Sequence, residues 1–448
     1  MVTKYPPRCR GVYAAVILFA LSAIGVWAGE TNTDSSKPIA TPMPAFCFAP
    51  GTSQEVVQRT FEQAVGAFER HSLAQPTILK FEIARRWTAT ATDGPGLSQG
   101  DPTTLTWSVV PDGTSISGGI GEPAAPSNLR SFLNGIYGNQ STWLAVFQQV
   151  FDRWGELTGI TYVYESSDDG AQISYSYPGQ VGVRGDIRIG GHTIDGNYGV
   201  LAYNYYPNSG DMVIDTADSF YSNTSTNSIR MRNVVAHEHG HGIGLDHACP
   251  VNNQKLMEPY VSTSYDGPQH DDILATNRTY GDRFEHDDTP ATAASLGSFG
   301  STTEVNLSVD SNSDTDVYSF IVDAGAAVDV SLTPIGSNYL SGPQNPNGSC
   351  TSGTSYNSLT IQDLEMRVLD VNGTNPLAAA DINGVGQSEA LNDVDLWSGA
   401  GTYFVEISGD STDEAQLYQL SLTISSSTHI FADGFQSGTT TAWGGITP

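Results

Sequence analysis

The sequence predicts an α+β fold: a first domain in which strands of a twisted mixed sheet lie among long helices, and a second that is an all-β sandwich. Three observations predict it. At 448 residues the chain exceeds what one hydrophobic core supports. Up to about residue 284, runs with three- and four-residue apolar spacing are interleaved with short β-branched runs. Beyond that point "DVYSFIV", "AVDVSLTP", "LEMRVLD", "TYFVEIS" and "LYQLSLTI" alternate in hydropathy, with turn residues between them and no helical spacing.

In chain order, Lys4, Arg8 and Arg10 precede the apolar run "GVYAAVILFALSAIGVWA", and the small residues Ala28 and Gly29 follow. A charged start, an apolar stretch short for a membrane span and a small-residue exit predict a signal peptide over residues 1–28. A secreted, extracellular protein without stable membrane insertion follows from that reading. Residues 29–80 read as a lead-in or pro-region. Their first part is polar and Pro-rich, and "SQEVVQRTFEQAVGAFERH" then places Val56, Val57, Phe61, Val65 and Phe68 near one helical face.

Residues 81–284 form the mixed domain. "TWSVV" reads as a strand and "STWLAVFQQVFDRWGELTG" as the clearest helix, with Trp143, Val146, Phe147, Val150, Phe151 and Trp154 on one stripe and Ser141 as its cap. Such a stripe is core packing. Strand-like "ITYVYE", "AQISYSY", "GDIRIG" and "GVLAYNYY" follow, and "NSIRMRNVVAHEHGHG" returns to helix. Residues 285–425 are the sandwich, and residues 426–448 are a Gly/Thr/Ser-rich tail.

Composition narrows the partners. With 48 acidic against 19 basic residues, the net charge of −29 excludes a phosphate-binding surface and so a nucleic-acid partner. Of the four cysteines, Cys9 belongs to the signal segment, leaving Cys47, Cys249 and Cys350 for one disulfide and one odd thiol. Their spacing does not choose the pair.

The chemistry concentrates in "HEHGHGIGLDH", His237 to His247. On a helix, His237 and His241 share a face and can present two imidazoles to one ion, with Glu238 beside the first. Gly244 allows a sharp turn out of the helix that brings His247 round as a third ligand. Three nitrogens and one open position suit a catalytic zinc, whereas a structural site closes the fourth. His239, two residues from His237, projects elsewhere and is a bystander.

This extended HExxHxxGxxH pattern, with Met257 downstream in "KLMEPY", resembles the metzincin zinc endopeptidases, and within them the matrixins, the matrix metalloproteinase type. "LMEP", "QHDDILATNRTYG" and "GDIRIGGHTIDGNYGVLAYNYYPNSGDMVIDTAD" carry the likeness, over roughly residues 81–280. It implies a zinc metalloendopeptidase with protein or peptide substrates, His237, His241 and His247 as ligands of one zinc, Glu238 as general base, and Met257 as a structural methionine turn. It also implies that Gly199, Val200, Leu201, Ala202 and Tyr203 form an edge strand for substrate, with Pro259 and Tyr260 walling the pocket beyond the scissile bond. Asp195, Gly196, Asp215 and Asp218 resemble the family's ligands for structural calcium. Asp271 and Asp272 are expected to tie the last helix down. Matrixins hold a second zinc through histidines, but the matching places here are Val183, Tyr203 and Val213, with His192 alone nearby. One zinc is expected. Cys47 could cap that zinc, although a disulfide to Cys249 or Cys350 is the stronger expectation.

The second domain, from "HDDTPATAASLG" to "LYQLSLTI", resembles the bacterial pre-peptidase C-terminal domain, a β-sandwich appended to secreted peptidases. That implies bacterial export and a module open to surface or polymer contact. The chain is expected to be a monomer. A second reading, a secreted binding or adhesion protein that keeps a metal site without turnover, is disfavoured by the intact Glu238.

Overall fold

A computed structural model describes residues 43–67, 85–174, 178–410 and 412–426. The predicted signal peptide and the tail beyond Ser426 lie outside them. Among the described residues no helix is long and apolar enough to cross a membrane.

The first half contains β1 (Ala45–Phe48), α1 (Gln54–Ala67), the short pair β2 (Ala89–Thr90) and β3 (Gly94–Pro95), β4 (Thr103–Val109), the short pair β5 (Ser115–Ile116) and β6 (Ala125–Pro126), α2 (Leu129–Tyr137) and α3 (Gln140–Leu157). It continues with β7 (Ile160–Tyr164), β8 (Ile187–His192), β9 (Val200–Asn204), β10 (Met212–Asp215), α4 (Ser225–Gly242), β11 (Ala248–Cys249) and α5 (His270–Tyr280). Six strands make one sheet in the order β1-β9-β10-β8-β4-β7. Strands β10, β8, β4 and β7 run parallel, whereas β9 is antiparallel to β10 and β1 is antiparallel to β9.

The aromatic stripe of α3 packs as the spacing requires. Trp107 of β4 stacks on Phe151 at 4.4 Å between ring centroids, and Trp154 donates its indole N–H to the Ala236 carbonyl of α4 at 3.3 Å. Helix α3 is thereby wedged between the sheet and α4, with Trp143 and Trp154 fully buried. Its cap is Asn139, not Ser141. The helix starts at Gln140, so the Asn139 side chain reaches the Thr142 amide at 3.1 Å, and Ser141 donates to that same carbonyl oxygen. The described part of "AQISYSY", residues 171–174, forms no regular strand either. Of its described residues, Ile173 makes a bridge to Ile116, and residues 175–177 lie outside the described set.

The second half contains β12 (Ala294–Gly297), β13 (Ser301–Val309), β14 (Thr315–Val322), β15 (Ala326–Pro334), β16 (Asn338–Pro343), β17 (Thr354–Asn357), β18 (Glu365–Leu369), β19 (Pro376–Ala380), β20 (Glu389–Asp395), β21 (Gly401–Ser408) and β22 (Gln416–Ser426). A five-stranded sheet, β12-β14-β21-β18-β19, faces a four-stranded one, β13-β22-β15-β20, across a core that includes Phe320, Val330, Met366, Tyr403 and Leu420. Their neighbours pair antiparallel except β12 with β14, which is parallel.

The two halves are not independent bodies. A third sheet, β11-β16-β17, joins the strand that follows the histidine motif to a hairpin of the second half. Cys249 and Cys350 close a disulfide over that junction. Tyr339, Tyr356, Ile361 and Leu417 belong to the same apolar core as Trp154 and Met257.

Candidate metal centre

Helix α4 carries the first two histidines, and its end is held from several sides. Trp87 donates its indole N–H to the Gly242 carbonyl at 2.8 Å, and the Tyr280 hydroxyl donates to the Ile243 carbonyl at 2.7 Å. Gly244 then turns with φ +107°, a left-handed region that favours glycine, and a Cβ there would strike the Arg85 carbonyl oxygen. The chain doubles back and delivers His247.

The three imidazoles meet. Nε2 of His237 lies 3.1 Å from that of His241 and 3.2 Å from that of His247, and the last two are 3.2 Å apart. Each Nδ1 faces an acceptor: the Leu256 carbonyl for His237, the Leu245 carbonyl for His241 and the Gln344 amide oxygen for His247, all at 2.7 Å. A carbonyl oxygen cannot donate, so each Nδ1 holds the proton and each neutral ring keeps only a lone pair at Nε2. Three lone pairs converging in a buried space repel one another unless a cation lies between them. The donor set fits zinc, whose tetrahedral imidazole ligands at 2.0–2.1 Å would stand roughly 3.3 Å apart. Burial, joined by the neighbouring His247, lowers His237 to about 3, and burial lowers His247 to about 4, so both rings are neutral near pH 7.

Glu238 is fully buried beside this cluster. Burial pushes its carboxyl up to about 8, and hydrogen bonds from Cys47 oppose the shift. Its Oε1 accepts the Cys47 amide at 3.2 Å, and its Oε2 has no partner among the described residues. A buried carboxylate oxygen without a protein donor, beside three converging imidazole nitrogens, has room to accept a hydrogen bond from a small molecule held there.

His239 does stand apart. Its Nε2 is 2.6 Å from the Tyr162 hydroxyl, and its ring packs edge-on against Phe151 and Trp154. Met257 lies beneath α4, where a Cβ on Gly240 would meet its sulfur. Asp272 fixes that turn by accepting the Leu256 amide at 2.8 Å and the Met257 amide at 3.1 Å, and it also accepts the Gln269 amide at 2.8 Å.

Several residues lie differently from expectation. Residues Gly199 to Tyr203 do not line a free edge, because Ala45–Phe48 pairs along β9 from Ala45 opposite Asn204 to Phe48 opposite Val200. On its other side Phe48 donates to the Pro259 carbonyl at 3.0 Å and accepts from Val261 at 3.1 Å, and its ring lies 5.9 Å from that of Tyr260. Among the described residues Cys47 is in no disulfide. It is a buried free thiol, and it can bring a ligand atom within 4.8 Å of those of His237 and Glu238. Cys249 is bonded to Cys350 instead, because β11 and the β16 hairpin bring these two together.

His192 also has a partner: its Nε2 lies 3.3 Å from Glu122, so it is anchored within the fold. Of the other second-zinc places, Tyr203 donates its hydroxyl to the Ser117 carbonyl at 3.2 Å and Val213 is buried in β10. The residues expected to ligate calcium lie near one another. Asp215 accepts the amides of Asp195, Gly196 and Ala217, and Asp218 accepts those of Tyr198 and Phe220. Desolvation and the charges of Asp215 and Asp218 raise Asp195 to about 6.

Sequence reading missed three features. Gln344 lies 97 residues from the histidine it touches, and no local pattern signals it. Glu258, next to Met257, accepts the amides of Asn252, Asn253, Gln254 and Lys255 and so shapes the loop after the motif. Glu285 forms a carboxylate group with Asp310 and Asp314, and another with Asp287 and Asp316, where the two halves join. The dense aspartates of "VDSNSDTDVY" were its visible signal.

Residues 135–281 match the Matrixin family profile, and this part of the chain is matrixin-like. Among similar proteins, metalloendoproteinase 2-MMP of Arabidopsis thaliana is 29% identical over 128 residues, covering 27% of this chain and 31% of that relative. Karilysin of Tannerella forsythia is 28% identical over 140 residues, covering 30% of this chain and 28% of karilysin. The chain thus spans about a third or less of the length of these relatives. A solved structure of the pre-peptidase C-terminal domain of a collagenase from Bacillus anthracis shares 17% identity at a TM-score of 0.18, covering 30% of this chain and 94% of that one.

Proposed function

We propose that the chain is a secreted zinc-dependent endopeptidase that hydrolyses peptide bonds of extracellular proteins, with Glu238 as general base. The observation that carries it is the meeting of three Nε2 atoms at 3.1–3.2 Å beside a buried glutamate with a free oxygen. His237, His241 and His247 would hold the ion. Zinc, when bound, supplies Lewis acidity that polarises the scissile carbonyl and acidifies a water. Glu238 takes the proton of the attacking water and passes it to the leaving amine. The calcium assignment to Asp195, Gly196, Asp215 and Asp218, and the assignment of the second half as a pre-peptidase C-terminal module for surface contact, rest on their sequence motifs.

The position of β1 supports a latent state. An extended segment paired to β9 and to the Pro259–Val261 segment, with a thiol turned toward the histidines, fills the place an extended substrate would take. The purified chain lacking residues before Lys80 should cleave casein or gelatin, lose that activity to a zinc chelator, and lose it in Glu238→Ala while still binding zinc. A truncated wild type that holds zinc yet cuts no peptide library would overturn the enzyme reading and favour a binding protein.

A further inference from the structure

We propose that Gln344, a residue of the second half, is a positioning residue for the third metal ligand, so that the C-terminal module completes the metal centre. The proposal deepens the zinc reading above and rests on it. The three imidazoles differ in what orients them. His237 and His241 give their Nδ1 protons to main-chain carbonyls within the same lobe, Leu256 and Leu245. His247 gives its proton to a side-chain amide at 2.7 Å, from 97 residues further along the chain.

That amide is itself fixed. The Gln344 side-chain nitrogen donates to the Gly348 carbonyl at 2.9 Å, which turns its oxygen toward His247. Gln344 also bridges Cys350 across the turn, and Cys350 is bonded to Cys249, two residues after His247. Immediately before Gln344, Pro343 and Gly342 pair with Ala248 and Cys249. Ligand and acceptor are thus tied together by a backbone pairing, a disulfide and a hydrogen bond. The turn is crowded on its outer side as well, since a Cβ on Gly348 would meet Val57 and Phe61 of α1.

The consequence is chemical. An acceptor at Nδ1 selects the tautomer whose Nε2 lone pair faces the other two histidines, and it raises the basicity of that nitrogen. Without it His247 can rotate or carry its proton on Nε2, and the set of three becomes a set of two. Outer partners of this kind typically change metal affinity 10- to 100-fold.

The test uses the full chain with Gln344→Leu, which removes the acceptor, and Gln344→Glu, which keeps one. Zinc affinity is read by competition with a chromogenic chelator, and ligand geometry by the visible absorption of the cobalt(II)-loaded protein. Gln344→Leu should bind zinc roughly 10- to 100-fold more weakly with an altered cobalt spectrum, while Gln344→Glu binds at least as tightly as wild type with the spectrum preserved. Equal zinc affinity and identical spectra in Gln344→Leu would overturn the proposal. So would equal losses in both variants, which would assign Gln344 only a role in holding its own turn through Gly348. These readouts do not depend on turnover, so a chain lacking the residues before Lys80 that binds zinc without cutting peptides refutes the endopeptidase reading and leaves the Gln344 result to stand.

Discussion

The Cys47 backbone amide donates to Glu238 Oε1 at 3.2 Å across 191 residues of sequence, placing the chain's own N-terminal strand against its proposed catalytic base. The same residue turns its thiol toward His237, so one segment engages both halves of the proposed chemistry.

A tethered strand competes with substrate at an effective concentration on the order of millimolar. Removing the residues before Lys80 should therefore raise the rate on a micromolar peptide by at least about tenfold, chiefly through a lower apparent KM. Steady-state kinetics of the full and shortened chains check this. Equal KM values would mean that Ala45–Phe48 does not hold the groove in solution.

Gly244→Ala should damage both stability and the site. The left-handed φ and the clash with Arg85 would together cost about 1–3 kcal/mol, and relief by backbone movement would displace His247. Gly113→Ala is the control, because Gly113 has φ +93° with nothing near its missing Cβ. Urea unfolding and zinc affinity of the two variants should differ. If both lose the same stability and neither loses zinc, the close approach of Arg85 is immaterial.

The Cys249–Cys350 disulfide spans 101 residues, and replacing both cysteines with serine should destabilise the chain by about 2–5 kcal/mol. Zinc affinity should fall with it, in the direction expected of Gln344→Leu. Thermal unfolding with parallel zinc titration measures both, and an unchanged Tm would contradict the expectation.

The carboxylates at the junction should make stability fall with rising pH. Burial and mutual repulsion raise Asp310 to about 6, Asp314 to about 8 and Asp287 to about 9. Their folded values exceed the ordinary 3.8, so the folded chain binds more protons than the unfolded one between these limits. The contribution is complete below about pH 4 and lost progressively up to about pH 9. Tm measured in chelating buffer should decline over that window, and Asp282→Asn, which removes a charge that raises all three, should flatten the decline. A Tm that rises from pH 5 to 9 would reverse the assigned sign.

What the sequence disclosed follows the range of the interactions. The α3 stripe, the i and i+4 histidines, the Gly244 turn and the alternation of the second half are local patterns, and the elements formed where those patterns lie. The misplacements arose where a distant segment intervened. Residues Gly199 to Tyr203 look like an edge until Ala45–Phe48 pairs with them, and Cys47 looks like a disulfide partner until β11 meets β16. Asn139 displaced Ser141 for a smaller reason, a helix start two residues earlier than a Ser141 cap requires. Gln344 could not be foreseen at all, because a lone glutamine in a loop carries no periodicity.

The sheet order β11-β16-β17 also sets a schedule. A ribosome makes the blocking strand first, the histidines about two hundred residues later, and Gln344 only after a further 97 residues. At 5–20 residues per second, that last interval is roughly 5–20 s. Throughout it, a nascent chain would carry its three histidines with the third not yet oriented, behind a groove already provided with its own occupant.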